Sequence, residues 1–159
     1  MVSINSLVVD KSRASKAEWR KVKTDGGDDF GYDDEEAGVV EEENPFRVLV
    51  RSRHTKDYEK ARNKALLYVR KQAQKRGQNH DLDFVMVDSL AVAEACLEGW
   101  DGLEQALPDG SSKPIVFSKD VARKIMTDPD YHVVRDMIMM TVTEYDNAVL
   151  GVAEVALGN

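Results

Sequence analysis

The stretch GWDGLEQALPDGSSKPIVFSKDVARKIMTDP, residues 99–129, is the most organised part of this 159-residue chain. It places a tryptophan between two glycines and follows it with LPDGSS at 107–112, a run of turn-forming residues. The segment PIVF at 114–117 is short and apolar, and we expect it to be extended. A joint of this kind predicts that two helices are connected here by a loop that aromatic side chains hold in place.

Two helices are predicted to follow the loop. Ser118 is a suitable N-cap for a helix ending at Thr127, because its hydroxyl can accept a hydrogen bond from a free backbone N–H of the first turn. Asp128 followed by Pro129 is typical of a helix start, and the last helix is predicted to run from there to about Ala156. The middle of that helix is apolar on nearly all sides, which is typical of a helix in the centre of a core or against a partner.

The segment before the loop predicts one strand and two more helices. Within residues 46–51, Phe46, Val48 and Val50 lie on one face, and this period of two indicates a strand; residues 18–23 are its expected partner. A helix is predicted over 56–76, where apolar residues recur at helical spacing. A second is predicted over 81–98, capped by Asp81 or Asp83 and ended by the glycines at 99 and 102. The predicted fold class is therefore mainly α (α+β), with about four helices and a small N-terminal β-hairpin or sheet.

The first of these helices has a strongly basic face. The residues of this face are Lys56, Lys60, Lys64, Arg70, Lys71, Lys75 and Arg76. Such a face can bind nucleic acid or can simply be solvated, and the formal net charge of −7 for the whole chain favours a solvated face. The same net charge argues against binding to an anionic membrane surface.

Residues 1–45 are predicted to be an N-terminal extension, and residues 46–159 the helical domain. Between residues 25 and 43 there are many carboxylates, scattered glycines and no basic residue, which predicts a flexible acidic segment. The spacing of a calcium-binding loop is absent from it. No apolar run approaches the roughly 20 residues that span a bilayer, the start of the chain does not resemble a signal peptide, and one cysteine fits a reducing cytoplasm.

No catalytic or metal-binding motif is visible in the sequence. His54, His80 and His132 lie in three different elements, away from metal-ligand spacing with one another or with Cys96. Cys96 is expected to be a packed core residue. We therefore predict that the chain is not an enzyme and has no cofactor or metal.

The aromatic and methionine side chains are the remaining candidates for a binding role. Trp100 and Phe117 flank the loop, and packing against the core is the first expectation for both, with partner binding as the alternative. Met137, Met139 and Met140 are also more often core residues, but exposed methionines on one helix adapt to varied partners. These five residues are the predicted partner-binding set.

The order of these segments resembles a known family. An extended stretch at 46–51, a charged helix and a second helix ending near GWDGL at 99–103 precede the loop PIVFS at 114–118. The segments VARKIM and DPDY, at 121–126 and 128–131, then lead into the last helix. This pattern looks like the tail assembly chaperones of tailed phages with long non-contractile tails, and it covers residues 46–147.

The resemblance implies a non-enzymatic role in viral morphogenesis. Proteins of this family bind the tape-measure protein, keep it soluble in the host cell cytoplasm and promote assembly of the tail tube around it, and they are absent from the finished virion. A programmed frameshift often extends them with a tail-tube-binding segment, and Leu157, Gly158 and Asn159 can be encoded by the slippery heptamer G-GGA-AAC. A structural tail-completion or connector protein and an acidic DNA-mimicking regulator are the alternatives.

Overall fold

The computed structural model describes residues 7–23, 45–77 and 82–152. Within these ranges it contains five α-helices and seven short strands, which confirms the predicted mixture of helices with a small amount of sheet. The elements, in chain order, are β1 (Leu7–Val9), α1 (Lys11–Ala14), β2 (Glu18–Lys21), β3 (Arg47–Val50), α2 (Lys56–Lys75), α3 (Phe84–Ala95), β4 (Leu97–Asp101), β5 (Glu104–Ala106), β6 (Ser112–Pro114), α4 (Lys119–Thr127), a 3-10 turn (Pro129–Tyr131), α5 (His132–Ala148) and β7 (Leu150–Val152).

The largest sheet has three antiparallel strands in the order β2-β3-β4. The predicted pairing of the two N-terminal strands is confirmed, with Arg20 opposite Val48. The alternation along β3 also holds, because Phe46, Val48 and Val50 are all buried. The inward face of this strand therefore forms part of the core, as a period of two requires.

The second predicted helix is shorter than expected. It was predicted to continue to Glu98, but α3 ends at Ala95 and the next residues form β4. Val48 pairs with Trp100 on β4, so hydrogen bonding to a strand distant in sequence replaces the last helical turn. Gly99 is therefore a strand residue rather than a C-cap, whereas Gly102, with φ of 78°, ends the strand.

Helices α2 and α3 form an antiparallel pair. Thr55 caps α2 by accepting a hydrogen bond from the N–H of Tyr58 at 3.1 Å, and Asp83 caps α3 by accepting one from the N–H of Met86 at 3.0 Å. The predicted helix over 56–76 is confirmed to within one residue. The buried residues of α2 are Ala61, Ala65, Val69 and Ala73. Since these side chains are small, the two helices approach closely.

The helix after the loop matches the prediction, and the last helix does not. Ser118 caps α4 through a hydrogen bond from the N–H of Val121 at 3.1 Å. The last helix was predicted to reach about Ala156, but α5 ends at Ala148. The chain then forms β7, which pairs with β1, and the N–H of Asp10 donates to the carbonyl of Val149 at 2.8 Å. A strand near the start of the chain thus captures the residues that were expected to extend the helix.

The core lies between the three-stranded sheet and helices α3, α4 and α5. Ile138, Val142 and Tyr145 of α5 are completely buried in it. The N-terminal region contributes Ala14 and Val22 to the same cluster, so residues 7–23 pack with the helical part of the chain. The predicted flexible acidic segment, residues 25–43, lies outside the described residues, as do His80 and residues 153–159.

A buried carboxylate connects α5 to the loop between β3 and α2. Asp146 accepts hydrogen bonds from the hydroxyl of Ser52 and the backbone N–H of Arg53, each at 2.8 Å. It also forms an ion pair with the guanidinium of Arg53. Because every one of these groups is paired, the network holds the start of α2 against the core.

Candidate functional site

The aromatic residues of the opening stretch form a packing joint. The indole Nε1 of Trp100 donates a hydrogen bond to the carbonyl of Ile115 at 2.6 Å, and the Phe117 ring meets the indole edge to face, with centroids 4.8 Å apart. Trp100 is only 8% exposed and Phe117 is half-buried. This geometry fixes the 103–117 loop to the end of β4, so a partner would reach Phe117 more readily than Trp100.

The three methionines of the predicted binding set lie on α5 with different exposure. Met140 is 56% exposed, whereas Met137 and Met139 are half-buried and pack against the core. Val133 is also exposed and lies seven residues before Met140, on the same stripe of the helix. The structure therefore leaves a narrow apolar stripe on α5, in which Met140 is the main accessible methionine.

His, Cys, Asp and Glu side chains are the groups that could bind a metal ion, and a cysteine could act as a nucleophile. No group of three or more His, Cys, Asp or Glu side chains is placed to hold a metal ion within the described ranges. Cys96 is completely buried at the end of α3, and burial raises the pKa of its thiol to about 12. A thiol that stays protonated at neutral pH is a poor nucleophile, so Cys96 acts as a core residue.

A groove with a volume of about 670 Å³ runs along α2, α3 and α4. Helices α2 and α4 each pack against α3, so α3 forms the floor and the other two helices form the walls. The groove is lined on the α2 side from Ala61 to Arg76. Fifteen residues of helix rise about 22 Å, so the groove is long as well as open.

Apolar side chains from two helices face this groove. Tyr68 and Val69 come from α2, and Met86 and Leu90 come from α3. Tyr68 is 54% exposed. An exposed aromatic beside a methionine and a leucine is a surface that a partner's apolar side chains can cover.

The polar rim of the groove has more basic than acidic residues, although Asp83 and Glu94 also line it. Lys64 and Arg76 contribute from α2, and Arg123 and Lys124 from α4. Arg123 pairs with Glu94 of α3 at 2.9 Å. No ion pair joins Lys64, Arg76 or Lys124 to another residue in the part of the chain that the structure describes.

Sequence reasoning did not find this groove. It identified the basic face of α2, which includes Lys64 and Arg76, but treated it as solvated. The signal was present on α3, where Met86, Leu90 and Glu94 follow one another at intervals of four residues. That spacing marks one helix face, but only the tertiary structure shows that α2 and α4 flank this face without covering it.

Comparison with protein-family models, curated proteins and solved structures finds no match for this chain. Among the described residues, no helix is both long enough and apolar enough to cross a membrane.

Proposed function

We propose that this protein is a phage tail assembly chaperone that binds the tape-measure protein, keeps it soluble and promotes assembly of the tail tube. The proposal combines the resemblance over residues 46–147 with one observation, the uncovered groove along α2, α3 and α4. A tape-measure protein is a long helical chain whose apolar stripe aggregates until the tube covers it. A small protein of net charge −7 that presents an apolar groove masks such a stripe and keeps the complex soluble.

The apolar stripe of α5 is the second surface for this role. Met140 and Val133 are exposed on it, and a client helix can pack along it. Several weak contacts repeated along a long client give sufficient total affinity while each one remains displaceable by the tail-tube subunits. The tail-tube protein itself is proposed to bind a frameshift-extended form of the chain.

The alternative of an acidic DNA mimic receives less support from the charge distribution. A mimic must display ordered carboxylates in the spacing of phosphates. The segment from Lys56 to Arg76 instead carries eight basic and two acidic residues on an ordered helix. The other alternative, a structural tail component, is distinguished by mass spectrometry of purified virions, because a chaperone is absent from them.

Co-expression with the tape-measure protein tests the proposal. The client is expected in the pellet when expressed alone and in the soluble fraction when this chain is present. Met139→Glu in α5 is expected to reduce solubilisation, but Met139 packs against the core, so Met140→Glu is the cleaner variant. If the client remains insoluble in the presence of the folded wild-type chain, the proposed function is wrong. If both variants still solubilise the client fully, the client-binding surface does not lie on α5.

A further inference from the structure

The groove along α2, α3 and α4 has the dimensions of a helix-binding site. Its α2 wall, from Ala61 to Arg76, is about 22 Å long, which corresponds to about four turns of a bound helix. Helix-in-groove recognition requires apolar contacts at intervals of three and four residues along the ligand. Tyr68 on the α2 wall and Met86 and Leu90 on the α3 floor provide such contacts.

The charge of the rim restricts the kind of helix that can bind. Lys64 and Arg76 lie on one wall and Lys124 on the other, and none of them is neutralised by an ion pair with a described residue. A helix with lysines beside its apolar stripe would bring like charges together, whereas one with carboxylates there would pair with the rim. We infer that the groove binds an amphipathic α-helix whose apolar stripe is flanked by aspartate or glutamate.

The apolar side chains favour a helix over nucleic acid as the ligand. A phosphate backbone would pair with the basic rim but would leave the exposed Tyr68 side chain and the accessible parts of Met86 and Leu90 uncovered. The net charge of −7 also opposes the approach of a polyanion, while a short helix with a few carboxylates is repelled much less. This inference deepens the proposed function and rests on it only for the identity of the client.

Two synthetic helical peptides of about 16 residues test the charge preference. Both carry the same apolar stripe, one with glutamates at the flanking positions and the other with lysines. Fluorescence anisotropy with the full chain at low salt is expected to give binding of the glutamate peptide at least about tenfold tighter than that of the lysine peptide. Raising the sodium chloride concentration is expected to narrow this difference, because rim charges are screened.

Matched variants on α2 locate the binding site. Lys64→Glu reverses a rim charge, whereas Arg70→Glu makes the same type of change at an exposed residue that does not line the groove. Tyr68→Ala removes an exposed aromatic from the groove, and Leu67→Ala truncates its equally exposed neighbour outside the groove. Lys64→Glu and Tyr68→Ala are each expected to weaken binding about tenfold, and the two control variants less than about twofold.

Several results would overturn the inference. If the two peptides bind with equal affinity, the groove has no charge preference. If Lys64→Glu and Arg70→Glu weaken peptide binding equally, the peptide does not bind in the groove. If an oligonucleotide binds more tightly than the glutamate peptide, the basic face of α2 is a nucleic-acid-binding surface. If sedimentation shows a dimer of the chain and Lys64→Glu dissociates it, the groove is occupied by a second copy of the chain.

The outcomes for the groove and for the proposed function are separable. If neither peptide binds while the tape-measure protein is still solubilised in co-expression, the groove inference is wrong and the chaperone role stands. If the glutamate peptide binds selectively while the tape-measure protein stays insoluble, the groove is a helix-binding site for a different client.

Discussion

Replacing Trp100 by alanine tests whether the loop joint is part of the core. The side chain is 8% exposed, so nearly all of its surface, roughly 200 Å² for a tryptophan, leaves water on folding. At about 25 cal/mol per Å², this burial contributes about 5 kcal/mol. Because alanine retains one carbon and the neighbours relax in part, we expect Trp100→Ala to lower the free energy of unfolding by about 3–5 kcal/mol.

The hydrogen bond of the indole can be separated from its packing. Trp100→Phe keeps an aromatic ring against Phe117 but removes the indole N–H, which donates a hydrogen bond of 2.6 Å to the carbonyl of Ile115. This variant is expected to lose about 1–2 kcal/mol, close to the cost of an unpaired buried acceptor. The free energy of unfolding should therefore fall clearly less in Trp100→Phe than in Trp100→Ala.

The second tryptophan serves as the control. Trp19 is 46% exposed on β2, where the Arg47 guanidinium lies 5.2 Å from its ring centroid. Trp19→Ala is expected to cost only about 2–3 kcal/mol, since about half of the surface already faces water. Urea denaturation followed by circular dichroism at 222 nm measures all three variants. Unfolding free energy of Trp100→Ala within about 1 kcal/mol of wild type, or equal losses at the two tryptophans, would refute the assignment of Trp100 to the core.

Three further predictions concern buried polar groups. Asp146→Ala leaves the Arg53 guanidinium and the Ser52 hydroxyl without their shared acceptor, and urea denaturation should show a loss of about 3–5 kcal/mol. Ser89→Ala removes a buried hydroxyl that has no hydrogen-bond partner among the described residues, so it should raise the melting temperature, and a lower value would show that the hydroxyl is paired. Burial raises the pKa of the Cys96 thiol and of the Tyr58 hydroxyl to about 12, from ordinary values of 9.0 and 10.0. The folded chain therefore keeps protons that the unfolded chain releases, and the free energy of unfolding should fall as the pH rises above 9.0 in a series of urea titrations, with a smaller fall in Cys96→Ala.

Local signals in the sequence were sufficient for several elements. The caps at Asp83 and Ser118 were predictable because a side chain bonds to a backbone N–H only three residues away. The inward face of β3 was predictable because its alternation needs no knowledge of the partner strand. Cys96 was also correctly expected in the core, since a lone cysteine beside apolar residues is most often buried.

Elements that depend on distant strands were not predictable in the same way. Leu97–Asp101 has apolar residues that fit a helix as well as a strand, and its pairing with β3 decides for the strand. The end of α5 is likewise decided by β1, whose residues lie about 140 positions earlier in the chain. The β5–β6 hairpin, formed by Glu104–Ala106 and Ser112–Pro114, was missed because its exposed side chains show no apolar alternation.

The sequence by itself determined the class of the fold, most helix starts and the separation of charge between a basic helix and an acidic chain. Each of these properties follows from interactions within one turn of helix, from a short periodic pattern or from composition. Only the tertiary structure decided which helix faces remain uncovered. Because α2 and α4 both pack on α3 without packing extensively on each other, Tyr68 and Leu90 border an open groove, and no pattern within a single helix carries that information.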